Sequence, residues 1–343
     1  MRSDPFRQWK NPGLVNLALY ILLVFAGPTL LFAQTLKIGT IAPPGSPWEE
    51  SLLEIASEWD RISNGRVKLR IYAGSVGASE ADLVRKMRIG QLQGASLTQV
   101  ALAGIVPDIL SLATPFLIRD DDEYEYVIEG FLPALSDGFR QKGFEFLNWS
   151  TAGWVHFFGS QSIHNPGDLR RMNLAVPADD ADMLQIFRAL GFKAFALSIP
   201  EYIVGLETGM VNSFFAPPLV VVAFQWFGFA THMCVLPVTP VFGANIVTSK
   251  AWETIPQELR PALAEAARKA GESLSAETAV LDAQAIVAMQ ERGLIVDEVG
   301  KEDLAEWRTL ADEGITKAFH SLVSPEAIER LRALLAEYRN SAD

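Results

Sequence analysis

The chain has 343 residues, which is long enough for two domains of ordinary size. Hydrophobic residues make up 49% of it and charged residues 20%, a composition that indicates a globular protein and excludes a disordered one. The formal net charge of −12 at pH 7 excludes electrostatic binding to nucleic acid or to an anionic membrane face. Cys234 is the only cysteine, so no intramolecular disulfide can form, and its apolar neighbours predict a buried thiol.

Residues 1–33 have the pattern of a secretory signal peptide. A basic start precedes an apolar stretch over residues 14–32, and Ala33 supplies a small residue for cleavage. Removal of this segment takes away a net charge of +2 and leaves −14. An uncleaved N-terminal anchor is the alternative, since about 20 apolar residues can span a bilayer. We therefore expect an exported protein.

A first lobe is predicted over residues 34–150. Strand patterns alternate with helix patterns, and Ser46 to Glu49 form a capping box with proline at the first helical position. The predicted strands cover residues 36–41, 67–71, 97–100 and 109–112. The order of strands and helices predicts a βαβαβ unit with a parallel sheet.

A second lobe is predicted over residues 151–250, and its most informative stretch is residues 165–217. Three strands, at residues 172–176, 193–197 and 210–214, are separated by two helices, the second of which begins at Pro200 and ends at Gly209. Ligands bind at the carboxyl ends of such parallel strands. The residues at these ends are all uncharged: Ala175, Val176, Ile199, Phe214, Phe215 and Ala216.

The rest of the chain is predicted to connect the two lobes. An apolar run over residues 219–230 predicts a buried or cleft-lining helix, and residues 241–249 predict a strand. Residues 251–343 predict a long helix and further C-terminal helices that pack across both lobes as a brace. The fold class is therefore α/β, with two lobes, mostly parallel sheets and a long brace helix.

Signals of enzyme chemistry are missing from the sequence. No dinucleotide or phosphate-binding glycine motif occurs, and no G-x-S-x-G nucleophile motif is present. The four histidines, His156, His164, His232 and His320, lack metal-ligand spacing. The sequence predicts neither catalytic activity nor a metal or other cofactor, and nothing in the spacing supports a Ser–His–Asp triad. His156 lies in an apolar strand and is interpreted as a core or cleft-wall residue, with a ligand contact as the alternative.

Several long segments carry a resemblance to a known family. They read LKIGTIAPPGSPWEESLLEIASEWDRISNGRVKLRIYAGSVGASEADLVRKMRIGQLQGA, LATPFLIRDDDEYEYV, NPGDLRRMNLAVPADDADMLQIFRALGFKAFALSIPEYIVGLETGMVNSF and VTSKAWETIPQELRPALAEAARKA. In their order and spacing the chain resembles, over nearly all of residues 36–340, the solute receptors of tripartite ATP-independent periplasmic (TRAP) transporters of the dicarboxylate-receptor type.

The resemblance implies a periplasmic-binding-protein-like fold whose two lobes close over a small solute. It also implies delivery of that solute to a membrane permease driven by an ion gradient. A periplasmic helical-repeat protein is a further partner that the resemblance suggests, and nucleic acid is not expected as a partner.

The family's carboxylate-binding arginine is missing from this chain. It is expected on the strand of residues 173–177, where Ala175 stands in its place, and a second arginine of some members aligns with Val155. Other positions that the resemblance assigns to the site are Ile41, Thr98, Ile199 and Ala216. Since a buried carboxylate without a cation is costly, these replacements predict a cleft for an uncharged or hydrophobic solute.

The predicted ligand-binding set adds a histidine and aromatic residues of the cleft wall. These are His156, Trp154, Phe157, Phe214, Phe215, Trp226 and Phe242. Two alternatives stay open for function: a lipid or hydrophobic-ligand carrier or interaction module without a permease, and an organic-acid receptor in which Arg171 or Arg188 takes over the carboxylate. An enzyme on this fold is a third, weaker alternative.

Overall fold

The structure is a computed structural model that describes residues 34–74, 79–178, 180–311 and 322–342. The predicted signal peptide lies outside these residues. The strands are β1 (Gln34–Gly39), β2 (Val67–Tyr72), β3 (Gly94–Thr98), β4 (Phe144–Gly159), β5 (Asn173–Pro177), β6 (Lys193–Leu197), β7 (Ser213–Ala216), β8 (His232–Cys234), β9 (Thr239–Thr248) and β10 (Ile295–Asp297). Across the described ranges, no helix is both long and apolar enough to cross a membrane.

The helices lie between these strands and after them. They are α1 (Pro47–Ser63), α2 (Glu80–Arg88), α3 (Gln99–Ala103), α4 (Asp121–Gln141), α5 (Pro166–Arg171), α6 (Ala181–Ala189), α7 (Ile199–Glu207), α8 (Pro218–Ala223), α9 (Ser249–Thr254), α10 (Arg260–Gln290), α11 (Lys301–Leu310) and α12 (Pro325–Ala342). Two 3₁₀ segments add Pro107–Ala113 and Trp226–Gly228. The α/β class and the long brace helix, α10, are confirmed.

One continuous sheet path runs through both lobes in the order β2-β1-β3-β9-β4-β7-β5-β6. The outer strands of each lobe pair in parallel, as predicted: β1 with β2 and β3, and β5 with β6 and β7. The central strands β9 and β4 pair antiparallel with their neighbours and connect the two parallel groups. β9, which the sequence boundaries place in the second lobe, pairs along half of its length with β3 of the first.

Several segments differ from the sequence-based elements. Residues 99–100, predicted as the end of a strand, begin the helix α3. The predicted strand over residues 109–112 is part of the 3₁₀ helix Pro107–Ala113, since a short apolar run does not distinguish a strand from a buried helical turn. The sequence patterns of residues 144–149 and 153–159 predict two strands, but both belong to the single long strand β4. Residues 254–257 have a capping pattern that predicts the start of the brace helix, but the helix begins at Arg260, since Pro256 cannot continue a helix through its interior.

Helix starts follow the local chemistry closely. Asn165 and Asp168 form a reciprocal capping box at the start of α5, with 3.1 Å between Asn165 Oδ1 and the Asp168 amide. The acidic residues 120–123 at the start of α4 cap that helix in a similar way, because the Asp120 carboxylate accepts the Glu123 amide at 2.8 Å. Among these acidic residues Glu123 is buried, with 3% of its surface exposed.

The buried carboxylate of Glu123 fastens the C-terminal helix to the first lobe. Arg339 of α12 donates to it in a bidentate arrangement, at 2.7 Å from Nε and 2.8 Å from Nη2. The same guanidinium donates to the Leu117 carbonyl at 2.8 Å. This pairing compensates the burial of both charges and positions α12 against α4.

The brace helix packs directly against the backbone of β4. An added Cβ at Gly271 would overlap the Trp149 carbonyl, so only glycine permits this approach. One turn further on, Ser275 Oγ accepts the Thr151 amide at 2.9 Å. The helix also packs against both lobes: Leu263 is buried in the core of the first lobe, and Met289 is buried in that of the second.

We predict that Arg339→Met lowers the free energy of unfolding by about 3 kcal/mol, because it leaves the Glu123 carboxylate buried and unpaired. The matched control is Arg268→Met, which removes a surface arginine paired with Glu265 and Glu272 and should cost less than about 1 kcal/mol. Urea denaturation of both variants measures the difference. Equal costs for the two would show that the Glu123 pair is no stronger than a surface pair.

Candidate ligand-binding cleft

Two adjoining cavities lie between the lobes, at the carboxyl ends of the parallel strands. The larger, of about 510 Å³, is lined mainly from the second lobe, at the ends of β5 and β7 and along α6, α7 and α8. The smaller, of about 310 Å³, is lined mainly from the first lobe, at the ends of β1 and β3 and along β9. Pro217, Val220 and Val241 line both, so the two cavities share a wall. Both volumes are in the range that holds small organic ligands.

The described lining residues of these cavities carry no positive charge. The larger cavity has two carboxylates, on Asp180 and Asp182, and the smaller has one, on Glu80. Two of these are engaged locally: Asp180 accepts the Met183 amide at 3.0 Å, and Glu80 accepts the Thr98 amide and hydroxyl at 2.7 and 2.6 Å. Asp179, in the same segment as Asp180 and Asp182, lies outside the described residues.

Seven of the predicted ligand-binding residues line these cavities. The larger cavity has Val155, Phe215, Ala216 and Trp226, and the smaller has Ile41, Thr98 and Phe242. Phe242 is fixed by its backbone, since its amide donates to Gln99 Oε1 at 2.7 Å. The Trp226 ring is 2% exposed and stacks on Tyr202 with centroids 4.7 Å apart. Its indole N–H has no acceptor within the described chain.

Ala175 and Phe214 lie behind this wall instead of on its surface. Both are 0% exposed and belong to the core cluster that also contains Tyr202, Trp226 and Ala216, which do line the larger cavity. Phe157 is likewise buried, stacked on Trp307 at 5.6 Å. Pro177, on the same face of β5 as Ala175, reaches the cavity. The side chain of Ile199 lies outside the described residues, so its position stays a prediction.

Trp154 and His156 line a separate, small pocket of about 100 Å³ beside the brace helix. We call it the hinge pocket; its lining includes Asp121 and Asp282. Trp154 Nε1 donates to Asp121 Oδ1 at 2.7 Å. Desolvation lowers the pKa of His156 to about 4, although its Nδ1 lies 3.1 Å from the Cys234 carbonyl, so the ring is neutral at pH 7. Neither residue lines the two larger cavities.

Asp282 of the brace helix connects strand β4 to the start of helix α8. Its Oδ1 accepts the Leu219 amide at the start of α8 at 2.9 Å, and the carboxylate also accepts the Trp154 amide of β4. Burial raises the pKa of Asp282 to about 6, against the lowering effect of these two hydrogen bonds. Opposite the carboxylate, Gly153 has φ of +92°, and any Cβ there would overlap Asp282 Oδ2.

Sequence reasoning missed much of the cavity wall. Gln99, Met183 and Tyr202 line the larger cavity, and their helical patterns indicate a buried face without showing that it meets a cleft. The apolar run after residue 218 did give a signal: it predicts a buried or cleft-lining helix, and Val220 of α8 lines both cavities. No sequence motif marks Asp282 as a site residue, because its partners are backbone amides of segments distant in the chain.

A serine, a histidine and an aspartate do meet elsewhere in the second lobe. Ser162 Oγ lies 3.4 Å and Asp297 Oδ1 lies 3.0 Å from the same atom, His232 Nδ1. A catalytic triad needs the aspartate and the serine on opposite ring nitrogens, which this arrangement does not provide. Asp297 instead accepts the Ile163 amide at 2.8 Å, which indicates a structural role. None of the three lines the inter-lobe cavities, and the described residues contain no cluster fit to hold a metal.

Two lobes joined by crossing strands, with a cleft at the carboxyl ends of their parallel strands, form the architecture of a solute receptor. The family model "Bacterial extracellular solute-binding protein, family 7" matches residues 38–321, and the chain belongs to that family. This is the family of TRAP solute receptors that the sequence resembles.

Similar proteins agree with this assignment. An uncharacterized protein of Sinorhizobium fredii is 28% identical over 180 residues, which cover 52% of this chain and only 33% of that protein. The C4-dicarboxylate-binding periplasmic protein of Rhodobacter capsulatus is 20% identical, over 92% of this chain and 95% of its own. A TRAP periplasmic solute-binding protein of Ochrobactrum anthropi superposes with a TM-score of 0.81 at 20% identity, covering 91% of this chain and 97% of its own.

We predict that Gly153→Ala destabilises the protein far more than Gly143→Ala. Both glycines have positive φ, +92° and +85°, so each substitution has a conformational cost of about 1–2 kcal/mol. Only at Gly153 does the new Cβ also meet the Asp282 carboxylate, which should raise the total to about 3 kcal/mol or more; at Gly143 the space is open. Thermal and urea denaturation measure both, and similar losses would contradict the close approach of Asp282.

We predict a distinctive pH dependence for Asp282. Its folded pKa of about 6 is above the ordinary value of 3.8, so between these two pH values the folded protein holds a proton that the unfolded chain has released. The contribution of this group therefore falls as pH rises from about 4 to about 6, by at most about 3 kcal/mol.

The measurement compares wild type with Asp282→Asn in urea unfolding at several values from pH 4 to 7. The difference in unfolding free energy between the two should change with pH and become constant above about pH 6.5, since all other titrating groups are shared. Parallel curves over the whole range would show that Asp282 has an ordinary pKa.

Proposed function

We propose that this protein is the periplasmic receptor of a TRAP transporter and that it captures an uncharged, largely apolar solute between its lobes. The observation that carries the proposal is the charge of the cleft: among the described residues lining both cavities there are three carboxylates and neither lysine nor arginine. A carboxylate bound there would lack a counter-ion and would face like charges. Apolar side chains, by contrast, favour burial of hydrocarbon at roughly 25 cal/mol per Å².

Export and delivery complete the proposal. The basic and apolar pattern of residues 1–33 supports export by a signal peptide, and the family supports delivery to a membrane permease without chemical conversion of the solute. A helical-repeat partner stays a prediction of the resemblance, as does the placement of Ala175 at the position of the family arginine.

An organic-acid receptor is the second candidate, and the name of the Rhodobacter capsulatus relative favours it. It requires a cation that reaches the cleft. The two arginines considered for this role are engaged elsewhere: Arg171 pairs with Asp168 on the surface, and Arg188 Nε donates to the Ala194 carbonyl at 2.9 Å. Neither lines the cavities, which is why the uncharged solute is preferred.

Native mass spectrometry of the protein purified from the periplasm, followed by solvent extraction, tests the proposal. We expect a stoichiometric, uncharged, hydrocarbon-rich molecule to be released. Release of a dicarboxylate or a sugar acid instead would overturn the solute class while leaving the receptor assignment intact. Conversion of the released molecule into a product by the purified protein would overturn the assignment as a receptor.

A cation added to the wall of the larger cavity should increase its affinity for a carboxylate. Val100, which lines the larger cavity and is 56% exposed, can accept a long side chain without loss of core packing. We predict that Val100→Arg strengthens decanoate binding about tenfold, because a charge-assisted hydrogen bond becomes available. Displacement of N-phenyl-1-naphthylamine fluorescence measures the affinity.

The matched control is Val204→Arg, which adds the same charge at a 59% exposed site away from both cavities. It should leave decanoate affinity unchanged, and 1-decanol affinity should be similar in wild type and in both variants. An equal gain from the two arginines would mean that net charge, and not the cleft, controls the affinity.

A further inference from the structure

The larger cavity has mainly apolar side chains in its wall, including Val155, Ile186, Phe215 and Trp226, together with five residues that carry a hydroxyl, amide or carboxylate. The smaller one has seven residues with a hydroxyl, amide or carboxylate: Thr40, Ser51, Glu80, Ser96, Thr98, Ser150 and Asn245. Pro217, Val220 and Val241 line both cavities, so the two adjoin.

Two groups of the smaller cavity are hydrogen-bond acceptors in fixed positions. Glu80 is held by the amide and the hydroxyl of Thr98, and an ionised carboxylate can only accept. Asn245 uses its amide nitrogen to donate to Asn148 Oδ1 at 2.9 Å, and its own Oδ1 is buried without a donor from the described chain. A buried acceptor of this kind is costly unless a partner provides a donor.

We propose that the solute is an amphipathic, non-anionic molecule whose hydroxyl or amide head donates hydrogen bonds in the smaller cavity while its hydrocarbon body fills the larger one. This deepens the proposed function and rests on it. The orientation follows from the two acceptors: the head meets Glu80 and Asn245, and the body meets the aromatic and aliphatic side chains of the second lobe. A carboxylate head is rejected by Glu80 through like charge.

A series of ten-carbon probes separates these requirements. The probes are 1-decanol and decanamide, which donate hydrogen bonds, methyl nonanoate, which only accepts, and decanoate, which is charged. Binding to the full mature protein is measured at pH 7.5 by displacement of N-phenyl-1-naphthylamine and checked by isothermal titration calorimetry. We expect the two donors to bind about tenfold more tightly than the ester, and decanoate to bind most weakly.

Glu80→Gln tests the assigned group. The glutamine oxygen can keep the Thr98 amide bond, while the side-chain nitrogen adds a donor to the cavity. The preference for decanol over the ester should fall to less than about threefold, and decanoate should improve relative to wild type. Asp182→Asn is the matched control: it removes an exposed carboxylate of the larger cavity and should leave the head-group preference unchanged. Urea denaturation verifies that both variants are folded.

The outcomes distinguish this inference from the function on which it rests. If the ester binds as tightly as the alcohol, the head-group assignment is wrong, and the receptor for uncharged solutes stands. If decanoate binds most tightly, the uncharged class itself is overturned. Equal effects of Glu80→Gln and Asp182→Asn would overturn the orientation, and failure of all four probes to bind would overturn the amphipathic class.

Discussion

The structure depends on how the long helix satisfies the backbone of β4 where that strand passes from one lobe to the other. Between Thr151 and Trp154 the pairing of β4 with β9 shifts by one residue, and Pro240 opposite has no N–H. Ser275 accepts the Thr151 amide and Asp282 accepts the Trp154 amide, so buried donors at the bulge are paired. Because Asp282 also accepts the Leu219 amide of α8, and Val220 of that helix lines both cavities, the brace helix positions one wall of the cleft.

The polarity of the cleft follows from the cost of burying charge. A parallel sheet is apolar on both faces, so the wall of a cleft at its edge is apolar by default, and a receptor for acids must add cations to it. Here the wall contains carboxylates at Glu80, Asp180 and Asp182. The Rhodobacter capsulatus relative is named as binding a C4-dicarboxylate, whereas the described cleft lining of this chain contains three carboxylates and neither lysine nor arginine.

Much of the fold could be predicted from local patterns. The strand over residues 193–197 and the helix start at Ser46 and Pro47 coincide with the structure, because period, caps and turn residues agree there. The residues that line the cleft were harder to predict from the sequence. Alternation along a strand identifies its two faces but not which one meets a cleft, so Phe214 was assigned to a wall that it only supports from behind. The bulge in β4 resets the alternation, which is why Trp154 and His156 face the hinge pocket.

The interleaving of the two lobes along the chain also constrains the order of folding. The core of the first lobe joins residues from β3 and α4 to Phe242 of β9 and to Leu331 and Leu335 of α12. No N-terminal part of the chain can complete that core by itself, and contacts of such long sequence separation form late. During synthesis the apolar surfaces of the first lobe therefore remain open until almost the entire polypeptide has left the ribosome, and holding chaperones have that whole interval in which to keep the chain unfolded.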